Sequence, residues 1–192
     1  MKDATRAWSQ VSFGDADLVG DPTRYLDSEK LDRAFEDLED SFAKDRGSIA
    51  AIVVRCPDGR REQPTTATLS QRDGLIGDRW SVGKARPGDQ VSMMNVEVAA
   101  RIANGQSIAL FGDNLFTDLD IRTSALPDGA QLRMGGAVLQ VSATPHVPCD
   151  RFRARFGDAA FRRTARDIRL RGVYLTVVEG GTIAIGDPVS RR

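Results

Sequence analysis

Past Gly47 the chain runs in short apolar stretches broken by Gly, Pro, Asp and Asn, and that punctuation constrains its fold more than any other feature. "SIAAIVVR" reads as a strand and "CPDG" as a turn. "RREQPTTATL" reads as a partner strand that Pro64 keeps near a sheet edge, since proline has no N–H to give a ladder. "DQVSMM" predicts another strand, and it runs into "NVEVAARIA", a short helix that Asn95 can cap. "NLFTDLDI" alternates, with Leu115, Thr117, Leu119 and Ile121 on one face and Phe116, Asp118 and Asp120 on the other. "AQLRMGGAVLQVSA" predicts a hairpin about Gly135-Gly136, and "GVYLTVVEGGTIAIGDPVS" a second one about Gly180-Gly181. Regular turns with only brief helices predict a mainly β fold, a closed or nearly closed barrel. The long crossover helices of a parallel α/β sheet are missing. So are the glycine-rich phosphate loop, the dinucleotide fingerprint and the nucleophile elbow, which sets aside ATPases, dehydrogenases of that type and α/β-hydrolases.

Ahead of this region, Leu31, Ala34, Phe35, Leu38 and Phe42 recur at helical spacing from Ser28 to Lys44. They predict an N-terminal amphipathic helix, N-capped by Ser28 and followed by Gly47. The chain therefore divides into an extension over 1–46, packed on the barrel, and a barrel domain over 47–192. Lys plus Arg and Asp plus Glu each number 27 in 192 residues, and a net charge of zero argues against nucleic acid and acidic membranes as partners. The opening residues lack the apolar core of a secretory leader. The longest apolar run, Ile49 to Val54, is too short to span a bilayer. Two cysteines make no disulfide framework, so the expected location is a reducing cytoplasm.

Chemistry concentrates in "VSATPHVPCDRF". Here the only histidine, His146, and one of two cysteines, Cys149, sit three positions apart between prolines. "AVLQVSA" ends a strand and "DRFRARFGDAAFRR" predicts a helix capped by Asp150, with Phe152, Phe156 and Ala159 as its buried stripe. Cys149 then stands at the helix N-terminus, where unpaired N–H groups favour a thiolate, and Arg151, Arg153 and Arg155 add positive charge. A thiolate can act as nucleophile, persulfide carrier or ligand to a soft metal. The competing reading is a small buried thiol beside an ordinary turn. His146 either serves that thiolate, by hydrogen bond or as a proton shuttle, or simply orders the turn. Cys56, at the mouth of a tight turn, reads as structural. One histidine and two distant cysteines cannot make a tetrahedral zinc site. Of the four Gly-Asp pairs, Gly186-Asp187 is explained by turn geometry alone, whereas "GDRW" and "GDN" set Arg79 and Asn114 beside their turns as candidate lining residues.

In order, "GLIGDRW", "MNVEVAARIA", "GDNLFTDLDI", "LPDGAQLRMGGAVLQVSATPHVPCDRFRARFG" and "LRGVYLTVVEGGTIAIGDPV" resemble a MOSC domain, the type found at the C-terminus of molybdenum-cofactor sulfurases. The resemblance spans roughly Ile49 to Val189. It implies a barrel-like β fold, binding of the molybdenum cofactor, and a key cysteine at Cys149. In relatives of this kind the cysteine either ligates molybdenum during reduction of N-hydroxylated compounds or handles sulfur bound for the cofactor. For the cofactor's phosphate-bearing tail, Arg79, Arg151 and Arg171 are suitable anchors, with Asp113 and Asn114 beside them. The chain lacks the pyridoxal-phosphate domain of long sulfurases and the ferredoxin-like module of some reductases, so electrons or sulfur would come from a separate protein. Three readings follow: a molybdenum-cofactor-dependent reductase, a persulfide carrier, and a non-catalytic small-molecule-binding barrel.

Overall fold

A computed structural model describes residues 19–83, 86 and 88–192. The extension's first eighteen residues lie outside that set. The strand signals past Gly47 become twelve strands among the described residues. In chain order they are β1 Arg46–Ile52, β2 Val54–Arg55, β3 Arg61–Glu62, β4 Thr66–Ser70, β5 Gly74–Leu75, β6 Val91–Asn95, β7 Leu115–Thr117, β8 Gln131–Met134, β9 Ala137–Val141, β10 Val173–Glu179, β11 Gly181–Ala184 and β12 Pro188–Arg191. Seven of them close a barrel in the order β1-β12-β8-β9-β10-β6-β7, with a three-stranded sheet β11-β4-β5 and the pair β2-β3 alongside. Every barrel pairing is antiparallel except β6 with β7.

That parallel pair needs a crossover, and α2, Val96–Ala103, supplies its start. Asn95 caps it as the sequence predicts, its side chain accepting from the N–H groups of Glu97 and Val98. The alternation over 115–121 also holds. Leu115, Leu119 and Ile121 belong to one core cluster with Ile49, Leu132, Leu139, Leu175 and Val189, all from barrel strands or their extensions. Phe116 and Met94 face a second cluster with Ile102, Phe111, Phe152 and Phe156, so helices pack on one outer flank of the barrel. Among the described residues no helix is long and apolar enough to cross a membrane.

Three local expectations are corrected. The N-terminal helix stops early: α1 spans only Ser28–Ala34, and Leu38–Ser41 forms a separate 3-10 turn. Its cap is Asp27, whose carboxylate accepts from Lys30 N–H, so Ser28 is the first helical residue. Continuing the helix would have put Glu36, Asp37, Glu39 and Asp40 towards its negative end. Instead Arg101 donates to the Ala34 carbonyl and to Asp37. The helix after Cys149, α3, spans Asp150–Arg166 but breaks at Gly157, with φ 85° and ψ 171°. The Tyr25 ring lies where a side chain on residue 157 would point. The break shifts the apolar stripe, so Ala160 is buried and Ala159 only half-buried.

The third correction is the second hairpin. β10 and β11 do not pair: β10 lies between β6 and β9, while β11 leaves the barrel to join β4. Gly180-Gly181 serves a close backbone approach instead. A Cβ on Gly181 would stand 2.3 Å from the Gly136 carbonyl oxygen, and Gly136 N–H donates to Thr182 O at 2.9 Å. Neither backbone can retreat without breaking a ladder. Gly181→Ala is therefore expected to cost about 1–3 kcal/mol or more by overpacking, read as a lowered urea midpoint with an unchanged slope.

Candidate functional site

The site is built where Gly-Asp turns meet. Gly77, at φ 88°, turns the chain so that Asp78 points inward, and its side chain is almost wholly buried. Its carboxylate accepts from the Arg55 backbone N–H, from Arg55 Nε and Nη2 at 2.8 Å each, and from Trp80 N–H. Gly112, at φ 75°, closes a 3-10 turn over Ile108–Phe111 and sends Asp113 and Asn114 into the interior. Asn114 then binds the first turn to the second. Its Nδ2 donates to Asp78 Oδ2 at 2.8 Å and its Oδ1 accepts from Ser92 N–H. A third such turn, Gly88-Asp89, joins through Asp89, which accepts from Trp80 Nε1 at 2.8 Å. Gly186, with nothing within 4 Å of its would-be Cβ, is only a turn.

Asp113 is fully buried and receives Arg171 Nη1 at 2.5 Å on Oδ2. Its other oxygen, Oδ1, faces His146 Nδ1 at 3.6 Å, and neither of those two atoms has a hydrogen-bond partner among the described residues. The His146 ring, 5% exposed, lies 4.1 Å from the ring of Tyr174. Burial pushes the Asp113 carboxyl up despite the Arg171 charge. Burial, then the charges of Arg171 and Arg55, hold His146 well below its usual range. Tyr174 is raised by burial and by Asp113. These four side chains form a connected, desolvated group of the kind that marks functional sites.

His146 and Cys149 share a loop but point apart. His146 is buried, whereas Cys149 is exposed, so the reading of Cys149 as a buried thiol is overturned. Cys149 itself is the N-cap of α3, in extended conformation and with no side-chain cap bond. Asp150, expected as the cap, is the first helical residue. Cys56 is buried, and burial raises its thiol further, which suits a structural role.

The arginines divide. Arg171 joins Asp113 as described, and Arg151 stands exposed on the first turn of α3. Arg79, half-buried, is tied in through its backbone N–H to Arg55 O. Arg153 and Arg155 do not gather at Cys149. Arg153 lies 3.9 Å over the Phe161 ring, and the buried Arg155 donates to Leu110 O at 2.8 Å. Sequence reasoning missed Arg55 and Arg61 altogether. The "CPDG" turn was the available signal, because it sets β2 against β3 with Arg55 directly opposite Arg61.

A seven-stranded closed barrel with one parallel pair carries a buried acid–histidine–arginine group and, at a helix N-cap, an exposed thiol. The MOSC domain profile matches residues 87–190, over half of the chain, and the chain belongs to that family, which is associated with the molybdenum cofactor. Several solved structures share the fold. The YuaD protein from Bacillus subtilis superposes with TM-score 0.59 at 15% identity, over 75% of this chain and 94% of that one. YiiM from Escherichia coli does so with TM-score 0.54 at 22% identity, over 76% and 69%. YiiM from Geobacillus stearothermophilus gives 0.54 at 17%, over 76% and 75%. No curated protein sequence matches the chain significantly.

Proposed function

We propose that the chain binds a molybdenum cofactor through Cys149 and serves as the catalytic part of a reductase of N-hydroxylated compounds. The observation that carries this is the exposed thiol of Cys149, on a loop whose His146 is buried beside Asp113. No group of three or more His, Cys, Asp or Glu side chains among the described residues could hold a metal. A metal held by protein donors alone therefore does not fit, while a soft metal that arrives with its own organic ligand and takes one thiolate does. The orphaned Asp113 Oδ1, His146 Nδ1 and Arg171 Nε are buried polar atoms that such a ligand could satisfy.

When bound, the cofactor would supply two-electron redox chemistry. The chain's own residues would hold it, exclude water on the Asp113 side and provide protons through His146 and Asp113. Reduction of an N–OH group consumes two electrons and two protons and releases water, so this reading needs an electron donor, for which a separate electron-transfer protein is the proposed partner. The exposure of Cys149 favours one other reading, a carrier that holds a persulfide there and passes sulfur to a cofactor or partner.

Metal analysis separates them. Protein made in a host that synthesises the cofactor is expected to carry near-stoichiometric molybdenum, and Cys149→Ser to lose it. Equal metal in both, or none in either, overturns the ligand role. Cyanide-labile sulfur on the wild type, absent from Cys149→Ser, would then establish the carrier; label confined to Cys56 would sink that as well.

A further inference from the structure

The chain reaches Cys149 through the buried His146 and Pro148, so the loop ahead of it has little freedom. What remains to be set is the direction of the residues after it, Asp150 to Phe156, the part of α3 that precedes the break at Gly157. On the inner side Phe152 and Phe156 pack beside Phe111, their ring centroids 5.8 and 4.0 Å from its own. A break in a helix frees the carbonyls ahead of it, because their i+4 N–H partners turn away. Ala154 and Arg155 hold two carbonyls of that kind, and both are met from outside α3. The Tyr25 hydroxyl donates to Ala154 O, and Gln106 Nε2 donates to Arg155 O at 3.4 Å. The Tyr25 side chain also fills the space beside Gly157, its Cβ, Cγ and Cδ2 each 3.1 Å from the point where a side chain there would start. Gly20 passes so near that a Cβ on it would stand 2.0 Å from Arg155 O.

Residues 20–25 are themselves pinned. Asp21 accepts from Thr23 N–H and starts a 3-10 turn, Pro22–Arg24, that ends at Tyr25. Asp21 N–H donates to Gln106 Oε1 at 2.7 Å, and Asn104 Nδ2 donates to Arg24 O at 3.0 Å. Asn104 ends α2, so this strap ties the barrel's crossover to α3, and Gln106 holds strap and helix at once. We propose that Tyr25 is a positioning residue for the Cys149 thiol: the strap sets the angle at Gly157, and with it where the first two turns of α3 present that sulfur. The extension ahead of the barrel is then a working part of the site and not only a packing element. The inference rests on the reading of Cys149 as the working group, whether it holds metal or sulfur.

The test uses the full chain made without cofactor, with a nitroxide spin label on Cys149 and peptide mapping to show that Cys56 carries none. Tyr25→Phe keeps the ring and loses the hydroxyl, whereas Tyr25→Leu loses both. Amide hydrogen exchange over 150–156 is expected to rise about fivefold or more in Tyr25→Phe, the usual worth of one hydrogen bond, and further in Tyr25→Leu. The spectrum of the label should sharpen in the same order, as the first turns of α3 gain freedom. Glu39→Gln is the control, because it loosens the same extension at Arg122, away from α3, and should move neither readout. Unchanged exchange and spectra in Tyr25→Phe overturn the proposal. So does an equal rise in Glu39→Gln, which would mark general loosening instead of positioning. Should Tyr25→Leu not fold, Tyr25→Phe against Glu39→Gln decides alone. Neither readout needs cofactor, so a failure of Cys149 to bind molybdenum would sink the reductase reading and leave the strap standing on its own result.

Discussion

Asp78→Ala is expected to cost the fold about 3–5 kcal/mol, the usual penalty for removing one partner of a buried ion pair. Three residues lose their acceptor at once: Arg55, through its guanidinium and its N–H, Trp80 through its N–H and Asn114 through its amide. Asn114 is fully buried, so water cannot replace the lost bond cheaply. Asp78→Asn should be almost as damaging, because its amide would point a donor at Arg55. The dependence on pH follows. Burial pushes the Asp78 carboxyl up, but Arg55 and the two N–H groups outweigh it and hold the carboxyl below its usual range. Its contribution is thus complete above the unfolded value of about 3.9, and is lost as pH falls through the lower folded value. Urea unfolding at pH 7 reads the difference, and a loss under about 1 kcal/mol would show that Asp78 is not holding the turns together.

The second large effect is a pH response owed to one side chain. His146 is the only histidine, and its folded pKa lies well below the unfolded value of about 6.5. The unfolded chain therefore takes up a proton that the folded chain refuses. Stability falls as pH drops below about 6.5, by up to about 1.4 kcal/mol for each unit. The groups facing it are Asp113, Arg171, Arg55 and Tyr174. Asp113, itself raised by burial, contributes with the opposite sign, since the folded form binds its proton more readily. The difference between wild type and His146→Gln isolates the histidine. The two stability curves should diverge steadily from pH 7 to pH 5, and parallel curves would refute the assignment.

The barrel was legible because its signals are local. Alternation at Leu115–Ile121 fixed which side faces which core, and Asn95 announced α2. What escaped depends on contacts distant in sequence. Nothing near Gly180-Gly181 reveals that Gly136 lies against it, and Arg101, not its own residues, helps end α1. At the site, the turns were visible but their meeting was not, because the Asn114–Asp78 bond joins residues 36 apart. Asp113 and Asn114 stood out in the sequence as polar groups beside a Gly, whereas Arg171 was named only through the family resemblance. Arg61 was hidden by its type: arginine in a short edge strand is expected to face water, and only the register opposite Arg55 places it inside.

The ring order of the strands bears on how such a chain is born. β12 lies between β1 and β8, so one edge of β1 finds its partner only in residues Pro188–Arg191. A nascent chain on the ribosome can lay β1 against β7 well before that. Its free edge, at Arg46 to Ser48, stays an open template until Pro188–Arg191 have been made. Closure is then a late, long-range step, slow by the rule that distant pairings fold last. Until it happens, the apolar lining from Ile49 to Ile52 is what a chaperone, or a neighbouring chain, would meet first.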